Sequence, residues 1–105
     1  MLDKYDNILG YFILTLSTRP QPLFDGVTNI VDQSISGIKI TNMDGGALVG
    51  LGWDNSVSLV TPNYHDLVHP QSFPLQLDRI GVGVAKNLWV VAGSGTPQIM
   101  VSKLS

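Results

Sequence analysis

Residues able to do chemistry gather in one segment, Asn63-Tyr64-His65-Asp66-Leu67-Val68-His69, which holds both histidines of the chain. Histidines four apart share a face of a helix and could share a metal, with Asp66 as a third ligand. That geometry exists only on a helix, and Pro62 and Pro70 leave barely two turns, so the segment reads as an exposed loop with ordinary histidines. No cofactor or metal is expected. A serine or threonine nucleophile needs a base within hydrogen-bond reach, and the chain has no Gly-x-Ser-x-Gly elbow to present one. Acid–base chemistry on a glycoside would have to draw on eight aspartates, since there is no glutamate. Asp25, Asp44 and Asp54 look like turn formers, which leaves few candidates. Gly81-Val82-Gly83 followed by Lys86 lacks the third glycine and the following helix of a dinucleotide loop, and reads as a loop or bulged edge. An enzyme is therefore not expected.

Aromatic side chains are the better binding candidates, because a flat apolar face with a polar edge suits both sugars and bases. Trp53 borders a turn and is the better binding candidate of the two tryptophans, yet core packing is its expected role, given how much apolar area a tryptophan contributes. Trp89 sits among Leu88, Val90 and Val91, where a core or subunit interface suits it better. Tyr5, Tyr11 and Tyr64 complete the set. Counterion-release binding to nucleic acid needs clustered cations, whereas Lys4, Arg19, Lys39, Arg79, Lys86 and Lys103 are scattered and the net charge is −2. No nucleic-acid partner is expected. Charged residues make up 13% of the chain against roughly 25% in an ordinary soluble domain. So little charge beside 44% hydrophobic content suggests a surface partly covered by another chain.

The elements that must position these residues are strands. A chain of 105 residues makes one domain, with residues 1–8 a possible N-terminal arm. The run from Ile8 to Leu16 is far shorter than the ~20 residues of a membrane helix, and Asp3 and Asp6 spoil a basic leader, so no membrane association is expected. Cysteine is absent, which removes disulfides and thiolate sites together. From Tyr11 to Ser17, Phe12, Leu14 and Leu16 share one face and Tyr11, Ile13 and Thr15 the other. Neither Pro20 nor Pro22 can donate to a ladder, so Arg19 to Pro22 should break pairing. Asp25-Gly26 marks a turn, and Val27 to Ser36 is ambiguous between a helical turn and extended chain.

Strands are expected over Ile38–Asn42, Ala47–Trp53, Ser56–Thr61, Phe73–Leu77, Leu88–Ala92 and Pro97–Leu104. Asp44-Gly45-Gly46 would close a tight hairpin. Gly50 and Gly52 would mark a bulge or a close backbone approach. Pro62 to Pro74 would be a loop, and Ile80 to Lys86 a connection. Leu88 to Ala92, apolar on both faces, would be a central strand. The fold class is all-β: a single small antiparallel β-sandwich or barrel of about seven strands.

Four pieces from Gly37 onward carry a resemblance. They are Ile38-Lys39-Ile40-Thr41-Asn42, Ala47 to Gly52, Phe73-Pro74-Leu75-Gln76-Leu77-Asp78, and Leu88 to Gly95 running on to Ile99 and Val101. Over about two thirds of the chain by this reading, it resembles a family of small β-sandwich structural proteins of tailed bacteriophages, the head decoration (cement) and minor tail proteins. The first third matches that pattern poorly. The resemblance implies a non-enzymatic virion protein that stabilises the particle through contacts with the major capsid protein or other virion proteins. It implies assembly in the host cytoplasm and symmetric self-association, for example as a trimer. The expected contact surface is the N-terminal arm (Leu2, Tyr5, Ile8) with the Asn63–His69 loop, which brings in Tyr64 and His65, and Trp53 is counted with them as an interface residue. A carbohydrate-binding module or phage adhesin that uses Trp53 and Tyr64 as stacking platforms is the rival reading.

Overall fold

The computed structural model describes residues 8–27, 29, 31, 34–70 and 74–105. It contains eight strands: β1 (Ile8–Thr15), β2 (Gln21–Pro22), β3 (Gly37–Asn42), β4 (Val49–Gly52), β5 (Asp66–Val68), β6 (Leu75–Asp78), β7 (Trp89–Ala92) and β8 (Gln98–Leu104). One helical turn, α1 (Val82–Ala85), lies between β6 and β7. Two four-stranded sheets, ordered β1-β8-β3-β6 and β2-β7-β4-β5, face one another as a sandwich in which all pairs are antiparallel. That interleaved order is the double-sheet jelly roll. Every connection except β4–β5 crosses from one sheet to the other.

The alternation in the sequence sets the register. Phe12 pairs with Val101, Val101 with Ile40, and Ile40 with Leu75, so one row of apolar side chains crosses the whole first sheet on its inner face. Val49 and Leu51 of β4 oppose Ala92 and Val90 of β7 and supply the facing layer. These side chains merge into one core that also takes in Leu16, Leu23, Ile38, Leu88 and Ile99. Full burial of a single leucine or isoleucine contributes roughly 1.5–3 kcal/mol, so this continuous layer is the main source of stability.

The buried polar residue Asn42 closes one end of the sandwich. Its Nδ2 donates to the carbonyls of Ala47 (2.8 Å) and Val68 (3.2 Å), and its Oδ1 accepts from the Asp44 amide. The end of β3 in one sheet is thereby tied to β5 in the other, which gives a physical role to the asparagine that ends the Ile-x-Ile-x-Asn stretch.

Several expectations are corrected. Asp44-Gly45-Gly46 does not make a hairpin, because β3 and β4 lie in different sheets. The Asp44 carboxylate instead accepts the amides of Gly46 and Ala47 and shapes a cross-over. Ser56–Thr61 is not a strand but part of a turn-rich flap with a lone Ser58–Asn63 bridge. The supposed Pro62–Pro74 loop contains β5, which is short because it serves only as a margin beside β4. Pro22 does not prevent pairing: β2 is an edge strand of two residues, where a missing donor is tolerated. The Ile80–Lys86 connection carries a helical turn. Phe73, and part of the ambiguous Val27–Ser36 stretch, lie outside the described residues.

Candidate functional site

After β4 the chain does not turn back directly. Residues 53–65 fold over the outer face of the second sheet, and the sheet makes room for them with glycine. A Cβ on Gly52 would stand 2.7 Å from Val57 Cβ, and one on Gly50 2.9 Å from a Leu59 methyl carbon. At Gly52 a side chain would have to displace Val57 and the flap with it, whereas at Gly50 the Leu59 methyl would have to turn aside. The expected close approach at Gly50 and Gly52 is therefore real, and what approaches is the flap.

Polar side chains fix the shape of the flap. Asp54 Oδ1 accepts from both the amide and the hydroxyl of Ser56. Asn63 Nδ2 donates to the Ser56 carbonyl (3.0 Å) and to Ser56 Oγ (2.8 Å). Backbone bonds join Ser58 and Asn63 in both directions, and the His65 amide donates to Leu51 O at 2.8 Å, which returns the chain to β5. The Ser56 hydroxyl and amide hold the Asp54 carboxyl below the usual carboxylate range.

Where the flap leaves and rejoins the sheet there is an open pocket of about 170 Å³, lined by Trp53, Asp54, Ser56, Asn63, Tyr64 and His65 among others. The His65 ring stacks on Trp53 with centroids 4.3 Å apart and planes 21° apart. Its Nδ1 lies 3.2 Å from Asp66 Oδ2. That contact places the proton on Nδ1 in the neutral ring and leaves Nε2 as an acceptor, buried with no partner. A buried acceptor without a bond costs about 1–3 kcal/mol. That cost opposes burial of the imidazole and is offset by its stack on Trp53 and its contact with Asp66.

Trp53 is 52% exposed and Tyr64 41% exposed, so core packing does not account for Trp53. Trp53, Tyr64 and His65, each named from sequence, come together around this pocket. The helix that a His65–His69 metal pair would require is absent, because Asp66–Val68 is a strand. Leu2 and Tyr5 lie outside the described residues, and Ile8 is described only as the first backbone position of β1.

A second surface escaped sequence reasoning. The outer face of the first sheet carries no flap among the described residues. Tyr11 (66% exposed), Ile13 (49%) and Met43 (50%) stand on it, with Met100 directly between Ile13 and Thr41 in register. β1 bounds this face as an eight-residue edge strand, Ile-Leu-Gly-Tyr-Phe-Ile-Leu-Thr, with no charged residue. The opposite edge, β6, has four residues and ends on Asp78. The expected alternation of Tyr11, Ile13 and Thr15 did contain the signal, but strand order was needed to show that β1 is an edge.

No family model matches the chain, and no curated protein matches it. The chain is similar in structure to a solved chain described as "Bacillus endospore appendages form a novel family of disulfide-linked pili". The identity is 10% and the TM-score 0.47, over 91% of this chain and 83% of that one. A likeness at that level carries nothing about function, and this chain has no cysteine.

Proposed function

We propose that this protein is a non-enzymatic assembly subunit that associates with copies of itself through the β1 edge and the adjoining outer face of the first sheet. The observation that carries the reading is the long, uncharged β1, which no described residue covers on its outer edge. Edge strands of stable monomers are usually short, charged, bulged or covered, because every second N–H and C=O along them points outward and can pair with another chain. β1 has a bulge near Ile8–Gly10, but from Tyr11 to Thr15 it is regular. Antiparallel pairing of two copies about Phe12 would set Tyr11 of one opposite Ile13 of the other. Such an aromatic–β-branched pair favours the contact by about 0.2–1 kcal/mol. The outer faces of the two copies, with Met100 beside Ile13, would then form one continuous surface.

Catalysis is not the better reading of the pocket. Its Asp66–His65 pair is not extended by a hydroxyl, since Ser56 Oγ bonds Asp54 and Asn63 instead. The finer reading, a head decoration or minor tail protein of a tailed-phage particle, rests on the sequence resemblance of the segment from Gly37 onward. Jelly rolls serve in viral capsid and lectin domains alike, so the fold is compatible with that role without selecting it.

Sedimentation velocity across a concentration series tests the assembly role. Reversible self-association is expected in the wild-type chain and should be lost in Ile13→Lys. A monomer at every concentration in both proteins would end the proposal. Quantitative mass spectrometry of purified particles tests the finer role: copy numbers comparable to the major capsid protein support decoration, and absence from particles refutes it.

A further inference from the structure

We infer that the Trp53–Tyr64 pocket is a subsite for a neutral saccharide ring. One face of the Trp53 indole is braced by the stacked His65 ring, and His65 is held in turn by Asp66 and by its amide bond to Leu51 O. The indole is therefore a pre-set platform, half of it open to solvent. Rigidity matters because ordering a mobile aromatic on binding would consume much of the gain.

The polar rim chooses the ligand class. The bonds that shape the flap end on Asp54 Oδ1 and begin at Asn63 Nδ2. Asp54, Asn63 and Tyr64 all line the pocket. Asp54 Oδ2 and Asn63 Oδ1 take no part in those bonds, which leaves an uncommitted acceptor on each, and the Tyr64 hydroxyl can donate or accept. A sugar ring matches this set: its C–H face covers the indole and its hydroxyls donate to the two acceptors. A nucleotide does not, because no lysine or arginine lines the pocket to meet a phosphate. A cation could meet the Asp54 carboxylate, but an open, solvated ring attracts it only weakly and the amide oxygen of Asn63 and the Tyr64 hydroxyl are matched better by hydroxyl groups. The pocket, at about 170 Å³, suits a single ring rather than a drug-sized ligand, whose pockets run to roughly 300–1,000 Å³. Affinity per site should be millimolar, and many copies in one assembly would raise it by avidity. The inference does not depend on the assembly role and can be tested on the monomer.

The experiment is an NMR titration of the full chain with methyl glycosides of glucose, galactose, mannose and N-acetylglucosamine, with choline chloride and free arginine as cationic probes. At least one glycoside should shift the Trp53 indole N–H and Tyr64 ring signals saturably while the Trp89 indole stays still. Trp53→Ala should weaken that binding about tenfold or more without altering the dispersion of core methyl signals. If Trp53→Ala loosens the flap, Tyr64→Ala serves instead, because Tyr64 lines the pocket at 41% exposure and it is His65 that stacks on the indole. The inference fails if no glycoside moves these signals, if a cationic probe binds more tightly than every glycoside, or if the shifts survive both substitutions.

Discussion

The two sheets of this sandwich share a core and differ on their outer faces. The second sheet is roofed by residues 53–65, which rest on Gly50 and Gly52 and leave a built pocket at the roof's edge. The first sheet is bare among the described residues and presents Tyr11, Ile13, Met43 and Met100 beside an uncharged edge strand. The same sequence thus uses two ways of dealing with the back of a sheet. Glycine lets the chain cover itself, while side chains left in place await something else. A flap satisfies its own polar groups, as Asp54, Ser56 and Asn63 do here. An open edge leaves that task to water or to another chain.

The contrast can be broken most severely at Asn42, which ties the sheets together. Asn42→Ala should lower the free energy of unfolding by about 2–3 kcal/mol, since two buried carbonyls lose a donor, and urea denaturation would measure it. An effect below ~0.5 kcal/mol, the scatter of an ordinary surface change, would mean that the clamp contributes nothing.

Next comes the roof. Gly52→Val puts a branched side chain where Val57 already sits, an overpacking that should cost about 1–3 kcal/mol. It should also disturb the Trp53–His65 stack, visible in the near-ultraviolet circular dichroism of Trp53. An unchanged spectrum would show that the flap can rise without the pocket noticing.

The bare face should respond in the opposite manner. Ile13→Lys should change unfolding free energy by no more than about 0.5 kcal/mol, yet abolish concentration-dependent sedimentation. A large loss of stability there would mean that the face is structural within the monomer and that the two faces do not differ as argued.

The smallest effect concerns pH. Amides of Gly46 and Ala47 hold the Asp44 carboxyl below its usual value, and the Ser56 hydroxyl and amide do the same for Asp54. A depressed folded-state value means that the stabilisation is fully present above the unfolded value of 3.8 and is lost as pH falls through the folded one. The melting temperature should therefore begin to drop below about pH 4, and the drop should be shallower in the Asp44→Asn, Asp54→Asn double variant. Equal slopes would remove these turns as contributors to acid sensitivity.

Much of the fold was legible because a period of two is written directly into the side chains. Phe12 and Leu14 against Tyr11 and Ile13, and Ile38 and Ile40 against Lys39 and Thr41, declare strands with one buried face whatever they pair with. The apolar run from Leu88 to Ala92 likewise declares the central strand that β7 proves to be. β2 and β5 were not legible, since two or three residues carry no period. Val57 and Leu59 alternate like a strand, and yet their alternation serves to press two side chains onto glycines of another element.

The candidate site divides in the same way. Trp53, Tyr64 and His65 could be picked out singly by residue type, but eleven positions of chain separate Trp53 from Tyr64 in sequence, and only the return of the flap to Leu51 O brings them together. The open edge could not be read at all, because neighbours in a jelly roll are distant in sequence: β1 lies beside β8, and β4 beside β7. Fold class, the inward and outward faces of each long strand and the turn residues are set locally, by backbone periodicity and short-range hydrogen bonding. Tertiary structure alone decided which strands are edges, which sheet face is roofed and which aromatic faces solvent, because those depend on long-range pairing that no local pattern encodes.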